Sequence, residues 1–267
     1  MLTAVDHIVI RVSDLEAAVD TYRRLGFTLT HLPSSHGDEA VAYAVFGDFH
    51  LEFREMSDRS QGEGFHTLAL RTEDIEADVA RLRSVGLAVT DPVSATGGSI
   101  PGRSAEVEAF IPMRLVEQDS TTDQLSSQLG DPDPHPNTVT DLERTYIAVE
   151  SIDRELRAFE DVFGVPAPEP EMGTVIMSMM SVFYLGEVGI AVAEPRGAGP
   201  TADALAANGP GMFQVLFRAG HLDEAERFMV DHGHPAPARG TRLSGESALL
   251  VRPENACGAY VAMAGQP

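Results

Sequence analysis

Apolar and polar positions follow the same order at four places along the chain. At each place a short apolar-rich run leads into a segment with apolar residues at helical spacing, and that segment ends at a glycine. The four copies begin at Asp6 (DHIVIRV), His66 (HTLALRT), Arg144 (RTYIAVE) and Phe213 (FQVLFRA). Because self-similarity of this kind marks a repeated supersecondary unit, each copy predicts a strand followed by a helix.

The first copy shows the predicted unit in most detail. Ser13 and Asp14 offer N-cap oxygens, apolar residues recur at helical spacing as far as Leu25, and Gly26 suits the left-handed position after a helix. Two further runs, VAYAVF and HLEFRE, predict strands joined by a turn at 47–48. The pattern therefore predicts an α+β protein built from four βαβββ units.

A change of composition divides the four units into two pairs. Residues 121–140 are rich in Ser, Thr, Asp and Pro, which is typical of a linker. We therefore predict a first domain over residues 1–120, which holds units one and two. The second domain, over 141–267, holds units three and four.

Composition and charge narrow the function classes. The chain of 267 residues carries a formal net charge of −22 and contains no lysine, which disfavours nucleic acid and membrane partners. The single cysteine excludes an intramolecular disulfide, and the N-terminus shows no signal peptide, so we expect a cytoplasmic protein. No glycine-rich phosphate motif or nucleophile elbow occurs, so we expect no nucleotide cofactor.

The repeated units resemble the vicinal oxygen chelate superfamily, which includes glyoxalase I, methylmalonyl-CoA epimerase, extradiol dioxygenases and bleomycin resistance proteins. The first domain resembles the glyoxalase-like branch in VDHIVI at 5–10, His36-Gly37 and HLEF at 50–53, and the second domain looks more like the epimerase. The resemblance implies two domains with open, curved mixed sheets. It also implies four inward positions per domain that can hold Mn, Fe, Co, Ni or Zn.

In the first domain the resemblance places His7 and Glu52 at two of the four metal positions. His7 stands 19 residues before Gly26, and the residue 19 before Gly86 is Thr67. Side chains alternate along a strand, so the neighbouring His66 would point away unless a bulge turns it inward. We nevertheless keep His66 as the third candidate metal ligand and Thr67 as a substrate contact.

The fourth position of the first domain is occupied by Arg114, and Glu117 follows three residues later. We predict that Arg114 binds substrate and that Glu117 and His36 are catalytic. In the second domain the equivalent positions are Arg144, Ala191, Gln214 and Ala262, which predict no metal there. The remaining histidines are interpreted as surface or turn residues: His31, His50, His135, His221, His232 and His234.

Two functional hypotheses remain open. We favour an enzyme whose N-terminal divalent metal assists proton transfer on a small oxygenated organic substrate, as a lyase or isomerase. The alternative is a metal-free binding protein of the bleomycin-resistance kind, in which Arg114 neutralises a buried Glu52. Ring cleavage as in extradiol dioxygenases is a further alternative, and a homodimer is one open alternative for the oligomeric state.

Overall fold

The computed structural model describes residues 1–32, 41–57, 62–94, 102–118, 134–242 and 244–266. The α+β class and the tandem units are confirmed: two mixed sheets are each built from two successive units. The residues of the predicted linker up to 133 lie outside the described ranges, as does His36.

The N-terminal sheet contains units one and two. Its elements in chain order are β1 (Leu2–Val12), α1 (Leu15–Arg24), β2 (Thr30–Leu32), β3 (Val41–Phe46), β4 (Phe49–Glu55), β5 (Gly64–Thr72), α2 (Ile75–Ser84), β6 (Ala88–Val89), β7 (Val93–Ser94), β8 (Gly102–Glu108) and β9 (Pro112–Gln118). The strand order is β2-β3-β4-β1-β5-β9-β8-β6, with β7 also paired to β8.

The C-terminal sheet repeats this arrangement with units three and four. Its elements are β10 (Val139–Ala148), α3 (Ile152–Phe163), β11 (Glu171–Gly173), β12 (Ser178–Leu185), β13 (Val188–Pro195), α4 (Pro200–Asn208), β14 (Gly211–His221), α5 (Leu222–Asp231), β15 (Ala238–Thr241), β16 (Ser247–Val251) and β17 (Tyr260–Gln266). The strand order is β11-β12-β13-β10-β14-β17-β16-β15. Its first strand begins at Val139, two residues before the domain start expected from composition.

The first strands of paired units lie at the centre of each sheet. β1 pairs antiparallel with β5 and parallel with β4, and β10 pairs in the same way with β14 and β13. Side chains alternate between the two faces, so Ile8 and Ile10 of β1 pack in the hydrophobic core while His7 and Val9 take the opposite, concave face. One face of each central strand therefore packs in the hydrophobic core, and the other face is available to form a binding or active site.

The helices α1 and α2 begin where the sequence supplies a capping carboxylate. Asp14 and Asp74 each precede a helix, and each side chain accepts a hydrogen bond from the backbone N–H three residues later, at 2.9 Å. α1 buries its apolar stripe in the core, as the spacing predicts. No helix in the described ranges is both long and apolar enough to cross a membrane.

The two domains share one continuous hydrophobic core. Phe217 of β14 packs against Phe46 and Phe27 of the first domain, with ring centroids 4.8 and 5.6 Å apart. Arg81 of α2 donates hydrogen bonds to the backbone oxygens of residues 161 and 162 at the C-terminal end of α3. Helix C-termini favour a cation, so this arginine joins the domains through both charge and hydrogen bonding.

His135 is buried where the two domains meet, so it is not a surface residue, but it does begin a turn, because its carbonyl oxygen accepts a hydrogen bond from the N–H of Thr138 at 2.8 Å. Its Nδ1 accepts a hydrogen bond from the N–H of Thr28 at 3.0 Å, so its Nε2 carries the proton and donates to the carbonyl of Val45 at 2.9 Å. Burial lowers the pKa of His135 below its ordinary value of 6.5, against the opposing effect of the Val45 hydrogen bond. The neutral ring is therefore the folded form.

We expect His135 to make folding acid-sensitive. Because its pKa is lower in the folded state, the unfolded chain binds the proton first as pH falls through about 6.5, and stability is lost below that pH. With chelator present, the free energy of unfolding should fall less between pH 7.5 and 5 in His135→Gln than in the wild type, by urea denaturation. The exposed His232→Gln serves as the control and should follow the wild type; equal slopes in all three proteins would contradict the prediction.

Candidate functional site

Polar side chains collect on the concave face of the N-terminal sheet. The parallel pairing of β1 with β4 sets His7 opposite His50 and Val9 opposite Glu52. The intervening residue Leu51 is buried on the helix-covered face. The strand register therefore brings His7 together with His50 and Glu52, which follow it in the sequence by 43 and 45 residues.

Asp6 orients His7. Nδ1 of His7 lies 2.8 Å from one carboxylate oxygen of Asp6, and the other oxygen accepts hydrogen bonds from Arg71 at 3.0 Å and Gln118 at 2.6 Å. Burial raises the pKa of Asp6, but His7, His50 and Arg71 outweigh it and bring that pKa to about 2. An ionised Asp6 holds the proton on Nδ1, which leaves the lone pair on Nε2.

His50 is the functional residue that sequence reasoning missed. It is 1% exposed on β4, and its ring stacks on that of His7 with centroids 4.7 Å apart. Burial and the neighbouring His7 lower its pKa to about 4, so the ring is neutral at pH 7. Its position two residues before Glu52, hence on the same face of β4, was the available signal.

Three buried ring nitrogens at this point have no hydrogen-bond partner within the described residues: Nε2 of His7 and both nitrogens of His50. Ligand atoms of Asp6, His7 and His50 lie within 4.8 Å of one another, which makes this group a candidate metal site. A buried polar atom without a partner costs about 1–3 kcal/mol. Imidazole nitrogens beside carboxylates are a donor set that suits divalent transition metals, so these residues fit such an ion.

Glu52 lies on the same concave face but is paired differently from the expectation. Its carboxylate contacts the guanidinium of Arg54, whereas Arg114 forms an ion pair with Glu106 at 2.7 Å. Burial raises the pKa of Glu52, and the charges of His7 and Arg54 overcome that effect and lower it. The Glu52–Arg114 pair of the metal-free hypothesis is therefore wrong, because Arg54 supplies the cation.

A β-bulge decides the orientation of His66. Val9 of β1 pairs with Thr67 while Ile10 pairs with Phe65, so the extra residue, His66, stands between them. Both His66 and Thr67 consequently line a cleft on the concave face, and Nδ1 of His66 lies 2.7 Å from the Thr67 hydroxyl. His66 is not part of the Asp6–His7–His50 group in the described structure.

This cleft adjoins the candidate metal site. It has a volume of about 380 Å³ and contains the arginines Arg11, Arg54 and Arg114 together with His66. The smaller cavity of about 200 Å³ at His7 shares Arg54 and Arg114 with it. Burial, with Arg11 and Arg114, lowers the pKa of His66 to about 4, so this ring is also neutral at pH 7. The cleft is rich in hydrogen-bond donors suited to an oxygenated molecule.

Glu117 lies on the opposite face of β9 from Arg114 and does not line this cleft. Its carboxylate accepts a hydrogen bond from the first backbone N–H of α2, at Ile75, at 3.1 Å. Glu194 does the same for Ile152 of α3 at 2.9 Å. We therefore correct its expected catalytic role to a structural one, since a carboxylate at a helix N-terminus satisfies an N–H that lacks an intrahelical partner.

Two other histidines test the surface interpretation, with different outcomes. His234 is 6% exposed, so it was wrongly placed at the surface, whereas the exposed His232 stacks on Phe228. His36 lies outside the described residues, and nothing is concluded about its expected catalytic role.

Comparison with known proteins agrees with the fold. A family profile described as a glyoxalase-like domain matches residues 5–163. The chain belongs to this glyoxalase-like family, and so to the vicinal oxygen chelate superfamily. A search of curated proteins found no match to the sequence.

Solved structures share the fold at low sequence identity. A mutant of 4-hydroxymandelate synthase from Streptomyces coelicolor is 16% identical with a TM-score of 0.70, over 99% of this chain and 92% of that one. The Mn(II)-bound glyoxalase from Novosphingobium aromaticivorans is 11% identical with a TM-score of 0.68, over 99% and 82%. A hypothetical protein from Staphylococcus aureus is 11% identical with a TM-score of 0.65, over 99% and 100%. These likenesses establish the fold alone.

We expect Glu117→Ala to lower the free energy of unfolding by about 1 kcal/mol, because the N–H of Ile75 loses its acceptor. Glu194→Ala, which removes the equivalent acceptor in the C-terminal domain, should cost a similar amount. Urea denaturation measures both. Glu117→Ala should keep the metal content of the wild type, and a variant that lost metal at unchanged stability would return Glu117 to the site.

Proposed function

We propose that the concave side of the N-terminal sheet, called the N-terminal barrel below, is the active site of a divalent-metal-dependent enzyme. The enzyme transfers a proton on a small oxygenated organic substrate, as a lyase or isomerase. The observation that carries the proposal is the set of buried, unpartnered ring nitrogens of His7 and His50 beside ionised carboxylates. Native proteins rarely leave such atoms unsatisfied, and a bound ion is one way to satisfy them.

The contacts of these residues indicate which of them would bind the metal and which would orient a ligand. His7 would bind the metal through Nε2 and His50 through a ring nitrogen, and the lowered pKa of His50 keeps that ring in the neutral form, which is the form that binds a metal ion. Both oxygens of Asp6 are already hydrogen-bonded, so Asp6 serves to orient His7. Glu52, two residues from His50 on the same face, is then the carboxylate ligand. When bound, Mn, Fe, Co, Ni or Zn would act as a Lewis acid on a substrate carbonyl or vicinal oxygens.

The adjoining cleft supplies the groups that act on the substrate. Arg114 and Arg11 are donors that bind and orient substrate oxygens, and the Thr67 hydroxyl holds His66 through Nδ1. His66 is neutral at pH 7, so its Nε2 is available to accept a proton from a carbon next to the polarised carbonyl. The cleft thus combines substrate orientation with proton transfer beside the metal.

One observation favours a second candidate function. Two histidines and one carboxylate are the donor set of non-haem Fe(II) oxygenases, and His7, His50 and Glu52 would supply such a set, with His50 as the second histidine that the sequence did not reveal. Oxygenative ring cleavage is therefore the runner-up. Oxygen uptake with catechols by the iron-loaded protein distinguishes it from proton transfer, which consumes no oxygen and exchanges substrate hydrogen with D₂O.

We expect protein purified without chelator to contain close to one transition metal ion per chain, measured by plasma mass spectrometry. The His7→Ala/His50→Ala variant should lose the metal, because both imidazole donors are gone. Asp6→Asn should retain it with an affinity lower by about 10- to 100-fold, as expected for a residue that orients a ligand.

The exposed His221→Ala is the matched histidine control and should keep the wild-type metal content. A wild type that neither contains nor binds any of the five metals under titration would sink the metalloenzyme proposal. Equal metal content in the wild type and in His7→Ala/His50→Ala would place the metal elsewhere.

A further inference from the structure

The concave face of the C-terminal sheet encloses a cavity of different character. The cavity has a volume of about 500 Å³. Its walls are mainly apolar and include Tyr146, Ile176, Met180, Leu216 and Leu250. Several of these residues belong to a hydrophobic cluster that is separate from the main core. Ala204 of α4 belongs to the same separate cluster. A mostly apolar cavity of this size with a few polar groups is typical of a small-molecule site.

The two sheets share a register, so their concave faces can be compared position by position. Arg144 opposite Gly189 in the C-terminal sheet takes the place of the stacked His7 and His50. A Cβ at Gly189 would lie 3.2 Å from Nε of Arg144, so the glycine leaves the room that the arginine side chain uses. The space that holds two histidines in one barrel holds one guanidinium in the other.

The remaining changes remove charge from the cavity. Ala191 and Ala262 stand at the positions of Glu52 and Arg114, and Gln214 stands at that of Thr67. The carboxylate that would have neutralised a nearby cation is therefore absent from this face. Alanines cannot bind a metal ion, whereas they widen an apolar cavity.

Two polar side chains in this apolar wall are left unsatisfied within the described residues. Oε1 of Gln214 and Nε of Arg144 are buried and have no hydrogen-bond partner, and Gln214 is only 4% exposed. Nε of an arginine can only donate, while the amide of a glutamine can present either an oxygen or an N–H after rotation. Both groups line the cavity, so a ligand there would meet a cationic donor next to an adaptable amide.

Three arginines line the cavity, and within the described residues Arg144 forms no ion pair with a carboxylate, unlike the other two. Arg242 is paired with Glu143 and Glu246, and Arg239 is paired with Asp223 and Glu226. One acidic residue, Glu171, lines the cavity among the described residues, and it is exposed at the rim. A cation in a mostly apolar cavity without a counter-ion favours an anionic ligand.

We propose that the C-terminal barrel is a metal-free binding site for a small organic carboxylate with an apolar body, whose carboxylate is held by Arg144 and Gln214. The aromatic or branched aliphatic body packs against Tyr146, Met180 and Leu216. This site is separate from the N-terminal metal site and does not depend on the function proposed for it.

The test uses the full chain and isothermal titration calorimetry with phenylacetate, 4-methylpentanoate and the neutral phenylacetamide. We expect the two carboxylates to bind saturably, and phenylacetate to bind about tenfold or more tightly than the amide of the same shape. Arg144→Met should weaken phenylacetate binding by about tenfold or more, while Arg144→Lys restores part of it. Gln214→Leu should weaken it by a smaller factor.

Arg154→Met, which removes an exposed arginine from α3 outside the cavity, is the control for the change in net charge and should bind phenylacetate like the wild type. Thermal denaturation checks that each variant is folded; if Arg144→Met is not, Gln214→Leu and the acid–amide comparison on the wild type decide. Absence of saturable carboxylate binding, equal affinity for acid and amide, or unchanged binding in folded Arg144→Met would each overturn the proposal.

Discussion

In each domain the first strands of two units pair antiparallel at the centre of the sheet, and almost every other feature depends on that pairing. The pairing commits alternate residues of β1 and β5 to the helix-covered face, where the hydrophobic core forms. The remaining residues lie on the concave face, where the N-terminal cleft and the C-terminal cavity are found. One constraint, the alternation of side chains along paired strands, thus separates stability from chemistry within the same strand.

The central strands also contain bulges, and these refine the arrangement. The register shift opposite Val9 and Ile10 brings His66 and Thr67 to the same cleft. The same shift occurs in the C-terminal sheet between Tyr146 and Ile147. Because the irregularity is repeated in both domains, we interpret it as a feature of the unit rather than a local defect.

On this common frame the two barrels have diverged in chemistry. The N-terminal concave face buries Asp6, His7, His50 and Glu52, and the charges and hydrogen bonds around Asp6 and Glu52 lower the pKa of both carboxyl groups. The C-terminal face buries mainly apolar side chains around Arg144. The difference costs the fold little, because the helix-covered faces that form the continuous core are apolar in both domains. In this chain, therefore, substitutions on one face of a sheet change the chemical character of the cavity while the core face stays apolar.

The sequence by itself determined the α+β class, the four repeated units and the helix start at Asp14, because apolar periodicity and capping are local properties of the chain. It also placed His7 and Glu52 among buried strand positions. Contacts between residues far apart in sequence were decided only by the tertiary structure. The parallel register of β1 and β4 made His50 a neighbour of His7, and a bulge turned His66 into the cleft. Glu52 pairs with Arg54 rather than Arg114, and Glu117 accepts a hydrogen bond at a helix N-terminus. The partner of each charged side chain depends on strand register and side-chain reach, and neither can be read from a local sequence pattern.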